Sequence, residues 1–329
     1  MISHTTSLEE SLEEFYYNEL EVEMEKLPDR FRRKEAHKRA IRALNFYNAY
    51  KEYEQTGFDT DQIEKLFGID KQNQKMLNYW IDKILPRGMA SIGFAKQGMG
   101  KSNVISFFIQ AVLVIRPNWN PVTNLPFAFA SSASVLPGYT IDRIRIVSSF
   151  TEMLEVMAKL VLERRGVPTF IDEMDSAYQA VQTKSRRGVS FKAFVYIERH
   201  LNCKGPFMIY HRGEDIPIEM RNEDISAGIY EIAKYNNFNK GISKRVISNP
   251  TLFNHPRLEG YERYFPIPLT MLPYHNQGFS PFKMDVSMQW INARLVGTQE
   301  EASVQLLDLI KQWRNMSQQQ RKKAWTEEE

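Results

Sequence analysis

A single cysteine, Cys203, occurs in the 329 residues, so no intrachain disulfide can form and nothing points to an oxidising compartment. With no recognisable histidine arrangement to activate it, Cys203 reads as a structural thiol. Zinc-ligand spacing is missing, and so is a helix-turn-helix pattern. Long apolar runs are missing too: the longest, residues 104–115, contains Ser106 and Gln110 and is too short to span a bilayer. The N-terminus turns acidic at once, so no secretory leader is expected. A strong excess of one charge is also absent; a net charge of +3 names no polyanionic partner by itself, and local clusters have to be weighed instead. A composition 43% hydrophobic and 25% charged excludes wholesale disorder. These features predict a soluble, cytoplasmic protein, built as one large domain with appendages or as two smaller ones.

The N-terminal stretch reads as helix, with Leu8, Leu12, Phe15 and Val22 at helical spacing among glutamates. Pro28 and Asp29 interrupt it, and a second helix carries Ala36, Ala40, Ile41, Leu44 and Tyr47. Charge changes sign at the break, from an acidic 9–25 to a basic set that includes Arg30, Arg32, Arg33, Lys34 and Lys38. Either the two helices pair through opposite charges, or the basic face meets nucleic-acid phosphates and the acidic arm docks on a neighbour. A further helix is expected over 60–85, ended by the Pro86 to Gly88 turn. The boundary of the central domain falls near residue 75, giving a helical region 1–75, a central domain 76–297 and a C-terminal helix with polar tail, 298–329.

Within 76–297 apolar strands alternate with amphipathic helices. Residues 89–95, 143–148, 167–171, 206–210 and 229–235 have strand length and composition. Ser149 followed by Glu152 is a capping box for a helix that runs to Arg164 and stops at Gly166. Thr298 and Glu301 cap a last helix with Ala302, Leu306, Leu309, Ile310 and Trp313 on one stripe, and the tail after Ser317 should fray. Such alternation predicts an α/β fold with a mainly parallel sheet covered on both faces.

Between the first of these strands and the apolar helix of 104–115 lies Ala95-Lys96-Gln97-Gly98-Met99-Gly100-Lys101-Ser102, with Asn103 next. A strand before and a helix after are the context that distinguishes a phosphate-binding P-loop from a chance match. Gly98 and Gly100 let backbone amides turn around phosphate oxygens, and the helix N-terminus adds unpaired N–H groups and a positive dipole end. Lys101 is placed to reach the outer phosphates of ATP, and the Ser102 hydroxyl to ligate Mg²⁺. Ala95 stands where a first glycine is usual; it closes the strand rather than cradling phosphate. The second half of such a site is an acid at the end of a neighbouring strand, and Thr169-Phe170-Ile171-Asp172-Glu173 supplies one. Asp172 is expected to hold Mg²⁺, and Glu173 to orient and deprotonate the attacking water. The 70 positions from Ser102 to Asp172 leave room for an additional strand between the two motifs, as in the ASCE, RecA-like branch of P-loop NTPases.

Further on, Glu198-Arg199-His200 leads by a short loop into Pro206-Phe207-Met208-Ile209-Tyr210-His211-Arg212, with Arg221 beyond. With these residues the chain resembles the FtsK/HerA superfamily of DNA-pumping ATPases, which includes viral packaging ATPases and the Zot-like proteins of filamentous phages. The resemblance covers roughly residues 89–270. It implies that Arg199 reaches a neighbour's γ-phosphate, that His211 fills the position of a sensor glutamine, and that Arg221 matches a later arginine. Glutamine is the usual sensor, so His211 departs from the pattern. Also implied are a homo-oligomeric, hexameric ring and double-stranded DNA held without sequence specificity, with a capsid or portal-like protein as a partner. Lys184, Ser185, Arg186, Arg187 and Lys192 form either a DNA-gripping pore segment or a solvated loop. The function so implied is an ATP-hydrolysing motor for genome packaging or mobile-element transfer, in the host cytoplasm if viral. The alternatives are a nucleotide-gated scaffold or secretion ATPase that moves no DNA, and a replication-initiator-type ATPase.

Overall fold

The computed structural model describes residues 71–96, 98–125, 143–174, 184–237, 242–248, 265–267 and 282–326. The predicted helices before residue 71 lie outside the described residues. Helix α1 (Lys71–Ile84) runs through residue 75 and buries Trp80, Ile81 and Ile84. Strand β1 (Ala90–Phe94) follows, and helix α2 (Lys101–Ile115) starts after the P-loop. Next come β2 (Val122–Thr123), β3 (Arg145–Ile146), α3 (Phe150–Leu162), β4 (Pro168–Ile171), α4 (Lys184–His200) and β5 (Lys204–Tyr210). Strands β6 (Ser226–Asn237), β7 (Ile242–Ser248) and β8 (Phe265–Ile267) precede α5 (Met288–Asn292), α6 (Gln299–Asn315) and α7 (Gln318–Thr326).

These strands form one sheet in the order β3-β2-β4-β5-β1-β6-β7-β8. From β3 to β6 every neighbouring pair is parallel, and β7 and β8 continue antiparallel. A parallel sheet must be covered on both faces, and β5 shows how the sequence encodes this. Successive side chains point to opposite faces, so Met208 and Tyr210 enter one core layer while Phe207 and Ile209 enter the other. The first layer is filled by Phe150, Met153, Leu154 and Met157 of α3, Phe191 and Phe194 of α4, and the stripe of α6. The second is filled by α1 and by α2, whose Val104, Ile105, Phe107, Phe108 and Ile109 are all buried. Each fully buried large apolar side chain contributes about 1.5–3 kcal/mol, which is why these patterns outweigh local propensity.

Three expectations are revised at helix ends. Helix α3 opens as expected, the Ser149 hydroxyl accepting from Glu152 N–H at 3.3 Å, but Glu152 Oε2 returns to Ser148 rather than Ser149. It stops at Leu162 with Arg164 in the left-handed region (φ 59°), so Gly166 is not its cap. Gly166 is needed instead for close approach: a Cβ there would fall within 3 Å of three Trp119 ring atoms. The tail does not fray at Ser317 either. Ser317 caps α7 by accepting from Gln320 N–H at 3.2 Å, Ala324 is buried and Trp325 packs edge-on against Trp313.

One buried charge-bearing group serves no visible chemistry. Glu198 on α4 is fully buried beside Thr169 of β4 and Cys203. Neither carboxyl oxygen has a partner meeting hydrogen-bond geometry, although the Thr169 hydroxyl lies close enough to ease the burial slightly. Burial therefore pushes the Glu198 carboxyl well above its usual range, and burial together with Glu198 pushes the Cys203 thiol up. An inert, protonated thiol fits the structural role expected for Cys203. In the unfolded chain Glu198 ionises above about pH 4.3, while in the folded chain it holds its proton to higher pH. Stability is therefore lost as pH rises through that window, by up to about 1.4 kcal/mol per pH unit. Glu198→Gln should raise the thermal midpoint at pH 8 and leave it unchanged near pH 4. Thermal melts across that range check this, and parallel pH profiles for the two proteins would contradict it.

Candidate nucleotide-phosphate site

All the residues that converge do so at the carboxyl edge of the parallel strands. The P-loop leaves β1 there, with Gly98 at φ 80° and Gly100 at φ 91°, conformations that side chains with a Cβ rarely adopt. Ala95, in the place of a glycine, is 3% exposed, and its N–H donates to Tyr210 O at 3.2 Å, so it belongs to the sheet as expected. Lys96 is exposed and Met99 packs on the second core layer, while Gln97 lies outside the described residues. Asn103 is buried under the loop. Lys101 is also buried, its ammonium donating to Ala95 O at 3.3 Å across the turn.

Asp172 leaves β4 two strands away, with β5 between. Across that gap the Ser102 hydroxyl donates to Asp172 Oδ2 at 2.6 Å. The other oxygen, Oδ1, accepts from Glu173 N–H at 3.0 Å. Burial raises the Asp172 pKa; the Ser102 hydrogen bond opposes this, the Glu173 charge adds to it and the Lys101 charge subtracts. A buried carboxylate held against a serine hydroxyl beside a lysine is a donor set that suits a hard divalent cation next to phosphate.

Asn124 is the residue that sequence reading missed. It follows β2 and clamps the Asp172 backbone from both sides: its amide donates to Asp172 O at 2.8 Å, and its carbonyl accepts from Asp172 N–H at 2.8 Å. Met174 N–H donates to Ile209 O at 2.9 Å just downstream. Between these anchors Glu173 is held at φ 52°, a left-handed conformation that costs a non-glycine residue about 1–3 kcal/mol. The turn aims the Glu173 carboxylate at His211 beyond β5, with Oε1 3.6 Å from Nε2. Both side chains remain partly exposed, at 40% and 36%. Glu173 and His211 thus sit side by side, open to solvent and next to the Ser102–Asp172 pair.

Arg199 is not brought to this edge. The Arg199 guanidinium donates to Gly88 O at 3.0 and 2.9 Å and to Asp224 O at 3.1 Å, at the amino edge of β1 and β6. It also lies 5.2 Å from the Tyr196 ring. Arg221 braces the loop after β5 by donating to Gly213 O and Ile216 O. Arg212 is exposed. Lys184, Ser185, Arg186 and Arg187 form the first turns of α4. No described helix is long and apolar enough to cross a membrane.

No family model matches the chain, and no curated protein matches it. Among solved structures it is similar to a KaiC-like protein from the hyperthermophilic archaeon Pyrococcus horikoshii, at 13% identity, covering 59% of this chain and 94% of that one, with a TM-score of 0.41. Strand order, the glycine turn and the convergence of Ser102 with Asp172 make this chain an α/β protein of the RecA-like P-loop NTPase fold.

Proposed function

We propose that the chain is a Mg²⁺-dependent ATPase working as a ring-forming motor on double-stranded DNA, in genome packaging or mobile-element transfer. The observation that carries the ATPase reading is the 2.6 Å contact between Ser102 and Asp172, with Glu173 and His211 beside it. Lys101 and the loop amides of residues 98–102 hold the phosphates, and Ser102 with Asp172 holds the metal. Mg²⁺ supplies charge neutralisation on the phosphate oxygens. Glu173 takes the proton of the attacking water, and His211 positions that carboxylate. Residues of this kind contribute catalysis by placement and electrostatics, because phosphoryl transfer asks for little covalent chemistry from the protein.

Motor action on DNA rests on the resemblance to the FtsK/HerA superfamily at residues 95–102, 172–173, 199, 211 and 221. In this reading subunits form a homo-oligomeric ring, a hexamer by that resemblance, with a capsid or portal-like recruiting partner. Arg199 then acts in trans, which requires its guanidinium to exchange Gly88 O for a neighbour's phosphate. The hydrogen bonds that Arg199 already makes favour the second reading, a nucleotide-gated scaffold or assembly ATPase with no finger at this position.

One experiment separates the two. ATPase rate is measured against added duplex DNA, with oligomeric state followed by light scattering in the same sample. A DNA motor should be stimulated several-fold by duplex and assemble with nucleotide. A rate that stays flat with saturating duplex sinks the motor and leaves the scaffold.

A further inference from the structure

The edge opposite the P-loop carries its own concentration of charge. Five residues of β1 at about 3.3 Å each separate the two edges by roughly 16 Å. At the amino edge, Arg87 bridges to Lys204 at the start of β5, and the 116–119 turn leads toward β2. Trp119 is the centre of this surface. Arg116 lies 5.6 Å from its ring and Lys204 5.5 Å. Gly166 abuts the ring, which brings the exposed Arg164 and Arg165 alongside. Arg143 fixes the turn from below, donating to the carbonyls of Leu113, Arg116, Pro117 and Trp119.

Among the described residues, five cations, Arg87, Arg116, Arg164, Arg165 and Lys204, thus lie along this edge around Trp119, with the carboxylates Asp82 and Glu163 beside them. Among the described residues Asp82 pairs with Arg116 at 3.4 Å, both in contact with solvent. The crowding is felt by Lys204. Burial lowers its affinity for a proton, and the Arg87 and Arg116 charges lower it further against the pull of Asp82. Cations placed this close together are stabilised by an external polyanion.

We infer that the amino edge of the sheet, centred on Trp119, is a contact surface for the phosphate backbone of duplex DNA. The choice of ligand rests on the DNA-motor reading proposed above; the charge and its placement do not. Cations spread over a tryptophan and a glycine turn suit a repeating backbone read by charge rather than by base edges. Placement on the far side from the P-loop leaves DNA and nucleotide free to bind together.

The test is fluorescence anisotropy of a labelled random-sequence duplex at several salt concentrations, on the full chain. Arg87→Gln/Lys204→Gln should weaken binding about tenfold and shrink the slope of log affinity against log salt by about 2, one for each lost phosphate contact. Lys311→Gln/Lys322→Gln, with the same charge change on exposed C-terminal helices, should leave both within twofold. Because Lys204 packs on Trp119, the single variant Arg87→Glu at an exposed side chain provides a second reading that does not depend on that packing. Fluorescent ATP analogue binding should be unchanged throughout. If the wild-type chain binds duplex and the edge variants bind equally well, the surface is refuted while the DNA reading survives. If the wild-type chain binds ATP analogue but no duplex, or binds phosphatidylserine vesicles in preference to duplex, the DNA reading falls and takes this assignment with it.

Discussion

Glu173→Gln should bind Mg-ATP with near wild-type affinity and fail to turn it over, with kcat lower by about 10²–10⁴-fold, or roughly 3–5 kcal/mol in the barrier. Glutamine keeps the size and polarity of the side chain and tolerates the φ of 52° no worse than glutamate does. It cannot accept a proton. Binding should survive because the groups proposed to hold phosphate, Lys101 and the loop amides, lie across β5 from the substitution. Lys101→Ala should do the opposite and abolish binding, since the only lysine charge buried at the loop is removed from a site meant for several negative charges. Equilibrium binding of a fluorescent ATP analogue and single-turnover phosphate release distinguish the two. Hydrolysis by Glu173→Gln at the wild-type rate would place the base elsewhere. His211→Ala should lose less, about tenfold in kcat with binding intact, because it acts on the carboxylate and not on the water.

Asn124→Leu is the second large effect and would not have been proposed from sequence. The side chain has the same size, so no cavity is expected, but Asp172 loses both partners of its backbone. Two buried polar groups left unpaired cost about 1–3 kcal/mol each, so the midpoint of urea unfolding should fall by an amount worth roughly 2–5 kcal/mol. Activity should fall as well, because Asp172 and Glu173 take their positions from this clamp. Asn124→Asp separates the effects: it still accepts from Asp172 N–H, cannot donate to Asp172 O and adds a negative charge beside a carboxylate. It should be more stable than Asn124→Leu yet bind the metal-nucleotide complex differently. Unfolding curves and nucleotide titrations of both variants decide this. Wild-type stability in Asn124→Leu would mean that the two hydrogen bonds contribute nothing net.

Local chemistry accounts for what could be read directly. The P-loop is legible because its conformation demands glycine at 98 and 100 and its chemistry demands lysine and a hydroxyl next, all within eight consecutive residues. Strands β4 and β5 are legible as short apolar runs bounded by polar turns. The capping box of α6 is legible because Thr298 and Glu301 satisfy each other's backbone within one turn. Strand β7 lies at the antiparallel margin and went unpredicted. Helix α7 was misread as fraying because its polar composition hides two residues, Ala324 and Trp325, that dock on the core and hold it.

Contacts between distant segments are a different matter. The 70-residue interval suggested an additional strand between the two motifs, but the strand that lies between β1 and β4 is β5, which follows Asp172 in the chain. The Asn124 clamp spans 48 positions and uses an asparagine that looks like any turn residue, so no local signal marks it. Arg199 occupies the position that the resemblance reserves for a finger, yet within its own subunit it braces Gly88 and Asp224. The basic edge around Trp119 gathers arginines and a lysine from four separate turns, none of them a charge run in the chain. Sequence alone therefore determined the glycine turn between β1 and α2, the aspartate that meets it and the α/β class, because each follows from the conformational and chemical demands of a few adjacent residues. Only the tertiary structure decided what holds Asp172 in place, where Arg199 points and which cations share a surface, because those depend on which strand edges and turns the sheet order brings together.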